Sequence, residues 1–267
     1  MIRYRFLFKN LNEGAKKRIQ QRAYRIFSQI WIGYSLKQFE SYFFPDEDEN
    51  LHVTLFFDHH QCIGYCIQNL TPTTVGRSQI NLMRVSANVL PEYIGWSLTA
   101  QEVFSVGLHF FFQSLWEKRK LILFMTANSP LSYAALVHRT LVAYPTPRKQ
   151  TPQFYHQLML EISRQHGLKL SNEYPLICRF SGIRLARDSL DLMESKNSYP
   201  IRFFKTFCPD YHKGEALVVA VPLTIGRGLI EISHQIIRWP LRVLKTRLAR
   251  ISFHQHHDAE QTVPKGT

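Results

Sequence analysis

The run LILFMTA, Leu121 to Ala127, carries no charged residue. A strand with one wet face alternates apolar and polar side chains. A continuous apolar run of this length is a strand covered on both faces. That commits the chain to a central sheet with helices packed on each side, an α/β architecture. A second run, ALVVAVPLTI from Ala216 to Ile225, is the most apolar stretch of the chain. It is too short to span a bilayer and contains Pro222, so its first eight residues read as the last strand.

The remaining patterns supply the order of elements. RYRFLF, Arg3 to Phe8, alternates and reads as a first strand. Ala15 to Ile32 places Ile19, Ala23, Ile26, Phe27 and Ile30 three or four apart, the stripe of an amphipathic helix. A short helix from Ser35 to Phe44 follows, with Ser35 as its N-cap. The acidic segment Pro45 to Asn50 reads as a solvated loop and lacks the ligand spacing of a calcium loop. LHVTLFF and QCIGYCIQ, joined by DHH, form a hairpin with His59 and His60 in its turn. Ser78 to Leu90 is another strand. Helices are expected over about Ala100 to Arg119, Leu131 to Leu141 and Gln153 to His166. PLICRFSGI, from Pro175, holds a strand, while Arg184 to His212 has no legible pattern. The early strands are consecutive and the later ones alternate with helices, so the sheet is mixed.

The net charge of +13 suits an anionic partner: a phosphorylated ligand, an acidic membrane surface or nucleic acid. Cys62 and Cys66 are four apart in a strand pattern, on one face and roughly 13 Å apart, too far for a disulfide. All four cysteines read as reduced, mostly buried thiols, and the expected location is cytoplasmic. MIRYRFLFKN has no long apolar region and no small-residue cleavage site, so no signal peptide is expected. There is no G-x-S-x-G, no phosphate loop of the G-x-x-x-x-G-K-[ST] type and no C-x-x-C pair, so hydrolase, nucleotide-loop and zinc readings have no support and no metal is expected.

Three stretches carry a family resemblance. FFDHHQCIGYCIQ, VLPEYIGWSLT and LILFMTANSPLSY resemble, in that order, the second-third strand hairpin, the turn after the fourth strand and the fifth strand with its following helix of the GNAT superfamily, the CoA-dependent N-acyltransferases. The resemblance covers Arg3 to Leu141, is weak from Tyr144 to Leu223 and is absent beyond. It implies a GNAT-like fold, acetyl-CoA or another acyl-CoA as co-substrate and an amine acceptor whose type the sequence does not name. In the family the fourth strand splays from the fifth, and the pantetheine lies in the gap. By match Ser86, Asn88 and Leu90 flank that slot, and Asn128 stands at the end of the fifth strand. Ile94, Gly95, Trp96, Ser97, Leu98 and Thr99 form the pyrophosphate turn. Unpaired N–H groups and the helix dipole favour an anion there. The family reads R-G-x-G-x-G where this chain reads I-G-W-S-L-T. Gly95 alone stands in place, with the hydroxyls of Ser97 and Thr99 where glycines are usual.

The resemblance also implies a tyrosine on the helix after the fifth strand to protonate the leaving thiolate. Tyr133 is the candidate, two positions before the usual spacing. Glu92 and His109 are candidate bases, although His109 in VGLHFFF also suits a core histidine. The expected organisation is an acyltransferase domain over 1–223, a basic amphipathic helix over 224–250 and a flexible tail over 251–267. In RWPLRVLKTRLAR, Arg238 to Arg250, Leu241, Leu244 and Leu248 share a face flanked by cations, suited to an anionic membrane at the inner surface more than to nucleic acid. Two alternatives follow: a GNAT-like binding protein without chemistry, motivated by the altered turn, and a peripheral membrane or nucleic-acid protein using that helix.

Overall fold

The computed structural model describes residues 1–45, 50–140 and 142–223, and of Asp188 only the backbone. Residues 46–49 of the acidic loop expected over Pro45 to Asn50, the basic helix of 224–250 and the tail of 251–267 lie outside the described residues.

Strand β1 (Ile2–Leu7) leads into helix α1 (Glu13–Ile30). Asn12 caps α1, its side chain accepting the Ala15 N–H at 2.9 Å, and the helix buries the five apolar positions read from the sequence. A two-residue strand β2 (Trp31–Ile32) precedes α2 (Leu36–Phe43). Ser35 and Gln38 close a reciprocal capping box at the start of α2, which fixes that boundary. Then come β3 (His52–Asp58), β4 (Gln61–Val75), β5 (Ser78–Val89), α3 (Leu98–Trp116), β6 (Lys120–Ala127), α4 (Pro130–Arg139) and α5 (Gln153–Gln165). The segment that was illegible in sequence holds β8 (Arg184–Leu185), α6 (Arg187–Glu194) and α7 (Tyr199–Phe207), after a short β7 (Ile177–Arg179). β9 (Glu215–Leu223) closes the described part of the chain.

Seven strands form one sheet in the order β1-β3-β4-β5-β6-β9-β7, and β2 pairs with β8 apart from it. Among the described residues only β5 and β6 run parallel; every other neighbouring pair in the sheet is antiparallel. A parallel pair needs a crossover, and α3 supplies it. This is the mixed sheet with helices on both faces expected from the sequence. Along β6, Leu121 and Leu123 join one core cluster with Val106 and Phe110 of α3, while Ile122 and Phe124 join a second with Leu158, Met159 and Ile162 of α5. LILF, the first four residues of that run, is apolar because both faces of the strand are covered there.

Three expectations need correction. β4 does not stop at Gln68 but runs on to Val75, through Pro72. β3 pairs with β4 only as far as Gln68, so beyond it β4 has a strand on one side alone, and a residue without an N–H is tolerated there. Cys62 and Cys66 do not share a face. They pair with Phe57 and Thr54, three apart on β3, because a bulge interrupts the ladder between Phe56 and Phe57. Both are free thiols, as are Cys178 and Cys208. His109 is not a core residue: it is exposed on α3, its ring 6.1 Å from that of His52.

Candidate functional site

The parallel ladder between β5 and β6 runs from Ile80 opposite Lys120 to Arg84 opposite Phe124 and goes no further. Past that point β5 stays on β4 as far as Val89, opposite Gly64, and β6 stays on β9 as far as Ala127, opposite Leu217. The two strands are therefore held by different neighbours and part company. Gly64 keeps β4 tight against the end of β5. A Cβ there would lie 2.8 Å from the Asn88 carbonyl oxygen and 2.6 Å from Val89 Cγ1, so no side chain fits. The bulge beside it, where Ile63 of β4 is the extra residue opposite Phe56 and Phe57, bends the ladder at the same place.

Between the diverging strands lies a cleft of about 100 Å³, lined on the β5 side by Arg84 to Asn88 and on the β6 side by Phe124 to Thr126 and Asn128. Among the described residues the β5 edge facing it has no ladder partner beyond Arg84, so its backbone is open to pairing with an extended ligand in the manner of an added strand. Ser86 and Asn88 point to the face where β1 is followed by α1. The Asn88 amide donates to the Tyr65 hydroxyl at 2.7 Å, and its oxygen accepts from the Trp31 indole at 3.4 Å. Ser86 bonds to the same Tyr65 hydroxyl, and burial holds that phenol protonated. Both side chains are thus fixed as part of the wall.

The closed end of the cleft holds residues that sequence reading did not single out. Arg84 Nη1 lies 3.5 Å from Nδ1 of His166, the residue that ends α5, and its guanidinium stands 6.0 Å from the Tyr42 ring of α2. Burial, reinforced by the Arg84 charge, pushes the His166 imidazole down to about 4, so it is neutral at ordinary pH. Burial pushes the Tyr42 phenol up to about 12, with a hydrogen bond to Thr126 of β6 opposing it. The signal for Arg84 was present in SQINLMRVSANVL, where one cation stands in an otherwise uncharged strand. Nothing local marked Tyr42 or His166, which the fold brings from two separate helices.

Beyond β5 the chain makes a 3-10 turn, Pro91–Tyr93, then Gly95 at φ +96 and Ser97 at φ +61 before α3 begins at Leu98. Gly95 is the residue that this turn can tolerate in the left-handed region without cost. Ser97 gives α3 no side-chain cap. Its hydroxyl instead accepts from Arg139 Nη2 at 3.0 Å, bringing a guanidinium from the last turn of α4 to the start of α3. Ile94 stands where the family's turn carries an arginine, and the fold returns one to the same turn from 45 residues further along the chain, 139 against 94. The N–H groups of the first turn of α3 have no partner within the helix, so this end combines dipole and cation.

The other candidates fall elsewhere. Tyr133 is completely buried, its hydroxyl donating to the Pro145 carbonyl at 3.0 Å and its ring stacked 5.7 Å from Phe203 of α7. It does not line the cleft, and neither does Glu92, which is exposed on the 3-10 turn. Leu90 is buried, with its N–H on the Ile63 carbonyl at 2.9 Å. Trp96 packs edge-on to Tyr93 at 5.0 Å. Among the described residues no group of three or more His, Cys, Asp or Glu is placed to hold a metal ion, and no helix is long and apolar enough to cross a membrane.

No family model and no curated protein matches the chain. Solved structures do. An aminoglycoside 6'-N-acetyltransferase from Acinetobacter haemolyticus is similar at 12% identity and TM-score 0.30, over 40% of this chain and 70% of its own. An aminoglycoside acetyltransferase from an uncultured soil metagenomic sample, in complex with sisomicin, is similar at 13% and 0.34, over 58% and 93%. A ribosomal-protein-alanine N-acetyltransferase from Brucella melitensis is similar at 9% and 0.37, over 57% and 97%. Likeness of this degree decides nothing about chemistry, and the site is read from its own geometry.

Proposed function

We propose that this chain is an acyl-CoA-dependent N-acyltransferase of divergent GNAT type. The observation that carries the reading is the parting of β5 and β6 after Arg84 and Phe124, which leaves an unpaired strand edge leading toward the uncapped start of α3. An extended pantetheine arm pairs with that edge as a strand would. The pyrophosphate of the same ligand meets the free N–H groups at Leu98 to Ala100, with Ser97, Thr99 and the Arg139 guanidinium about it. Arg139 does the work of the arginine that Ile94 replaces, so the altered turn does not by itself argue for a protein without chemistry.

In the reaction a neutral amine attacks the thioester carbonyl carbon. Free N–H groups on the β5 edge polarise the carbonyl oxygen, where negative charge develops. The C–S bond breaks as the amide C–N bond forms, and the proton given up by the amine ends on the departing thiol. Tyr133, with its hydroxyl already committed to Pro145, is poorly placed to donate that proton; Tyr42, in the cleft wall, is the better candidate.

The test is thermal unfolding with acetyl-CoA and longer acyl-CoAs. A ligand at about 100 times its Kd adds about 2.7 kcal/mol, a rise of a few degrees in Tm. Arg139→Gln should reduce that rise while leaving the Tm of the unliganded chain nearly unchanged. No rise with any acyl-CoA removes the enzyme reading.

A further inference from the structure

The closed end of the cleft carries a cation that has no counter-ion among the described residues. Among the described residues, Arg84 makes no ion pair, and no Asp or Glu lines the cleft. Its nearest side-chain partners are a neutral imidazole and an aromatic ring. A guanidinium drawn partly out of water without a compensating charge is unfavourable, and a planar fork of N–H donors fits a carboxylate better than any other common group. Phe27, Phe43, Phe124 and Phe180 give the same space apolar surface, beside uncharged polar groups that include Asn69, Thr126 and Asn128. Polycationic amines, which need carboxylates to hold them, find none here among the described residues.

We infer that the substrate group reaching the closed end of this cleft is a carboxylate attached to a small apolar body, and that Arg84 is the residue that binds it. The inference rests on the acyltransferase reading for which part of the substrate that is. An amine that also bears a carboxylate, such as an apolar α-amino acid, supplies it from the acceptor; a dicarboxylic acyl chain supplies it from the donor. Neutral His166 lies against Nη1 of the guanidinium at 3.5 Å and adds no charge that would compete with the ligand.

The experiment measures binding to the purified full chain, with N-acetyl-phenylalanine and its carboxamide as probes. They differ in charge and share their shape. The carboxylate should bind at least ten-fold more tightly, and Arg84→Gln should erase the difference. Arg84→Lys, which keeps the charge and loses the fork, should recover part of it. A parallel arm compares succinyl-CoA with acetyl-CoA. A preference for succinyl-CoA that Arg84→Gln abolishes assigns the carboxylate to the donor; equal binding of the two assigns it to the acceptor, provided that the first pair discriminates. No charge preference in either pair, or the same preference in the Gln variant, overturns the inference. Circular dichroism and Tm of the unliganded variants establish that they are folded. Discrimination in the first pair without stabilisation by any acyl-CoA would retain the anion site and reject the acyltransferase; acyl-CoA binding without discrimination would do the reverse.

Discussion

Two charged side chains lie against the sheet, and they are treated in opposite ways. Glu102 of α3 is fully buried. Its carboxylate accepts from Arg5 Nε at 2.6 Å, Arg3 Nη1 at 3.3 Å and Thr54 Oγ1 at 2.8 Å, tying α3 to β1 and β3. Arg84 of β5 is half-buried, with a neutral histidine at 3.5 Å and a ring face at 6.0 Å. The first charge is completed from within the fold. The second is left for something that arrives from outside. Buried charges without partners are costly, so their positions separate structural from functional electrostatics.

The largest test of that contrast is Glu102→Ala. It removes the acceptor of two arginines and leaves Thr54 buried without a partner. Breaking a buried pair costs about 3–5 kcal/mol, but Arg3 and Arg5 reach solvent at 57% and 38% exposure. Discounting for that, a loss of about 2–3 kcal/mol is expected in denaturant unfolding. A loss below about 0.5 kcal/mol would mean that the network is decorative and the comparison false.

Arg84→Met should move stability the other way or not at all. The apolar chain is of similar length and gives up no ion pair among the described residues, so the change should lie between zero and a gain of about 1 kcal/mol. A loss of more than about 1 kcal/mol would show that Arg84 has a structural task. Read together, the two substitutions separate a charge that holds the fold from one that waits for a ligand.

How much of this was written in the sequence follows from the range of the interactions. LILFMTA and ALVVAVPL announced a doubly covered sheet because burial on both faces acts on every residue of a strand. Ser35 announced a helix start because capping is settled within three residues. Arg184 to His212 was opaque for the opposite reason. Its strand is two residues long and gains its identity only from pairing with Trp31 and Ile32, and its two helices have eight and nine residues. The turn after β5 was recognised by its glycine, yet the cation that serves it, Arg139, comes from another helix. Arg84, Tyr42 and His166 meet only after β5, α2 and α5 have packed. Tyr133 was chosen by its place after the β6 strand, and what set its hydroxyl on Pro145 was the loop that follows α4.

The smallest effect is the most specific. His166 titrates near 4, first because it is buried and second because Arg84 stands beside it. Removing that charge in Arg84→Met should raise the His166 pKa toward its ordinary 6.5 without reaching it, since burial remains. Imidazole chemical shifts followed against pH would show this directly. The sign for stability follows. Between 6.5 and about 4 the unfolded chain binds a proton at this site that the folded chain refuses. The contribution is therefore complete above pH 6.5 and is lost as the pH falls toward 4. In Arg84→Met the loss should be shallower, because the folded histidine accepts its proton sooner. His52, also lowered by burial and by His109, adds its own acid-side loss in both proteins. It packs against Phe110, away from the cleft, and its share should not change. A His166 pKa that stays put in the variant would mean that the guanidinium is already neutralised by a neighbouring anion, and Arg84 would then join Glu102 as a charge completed from within.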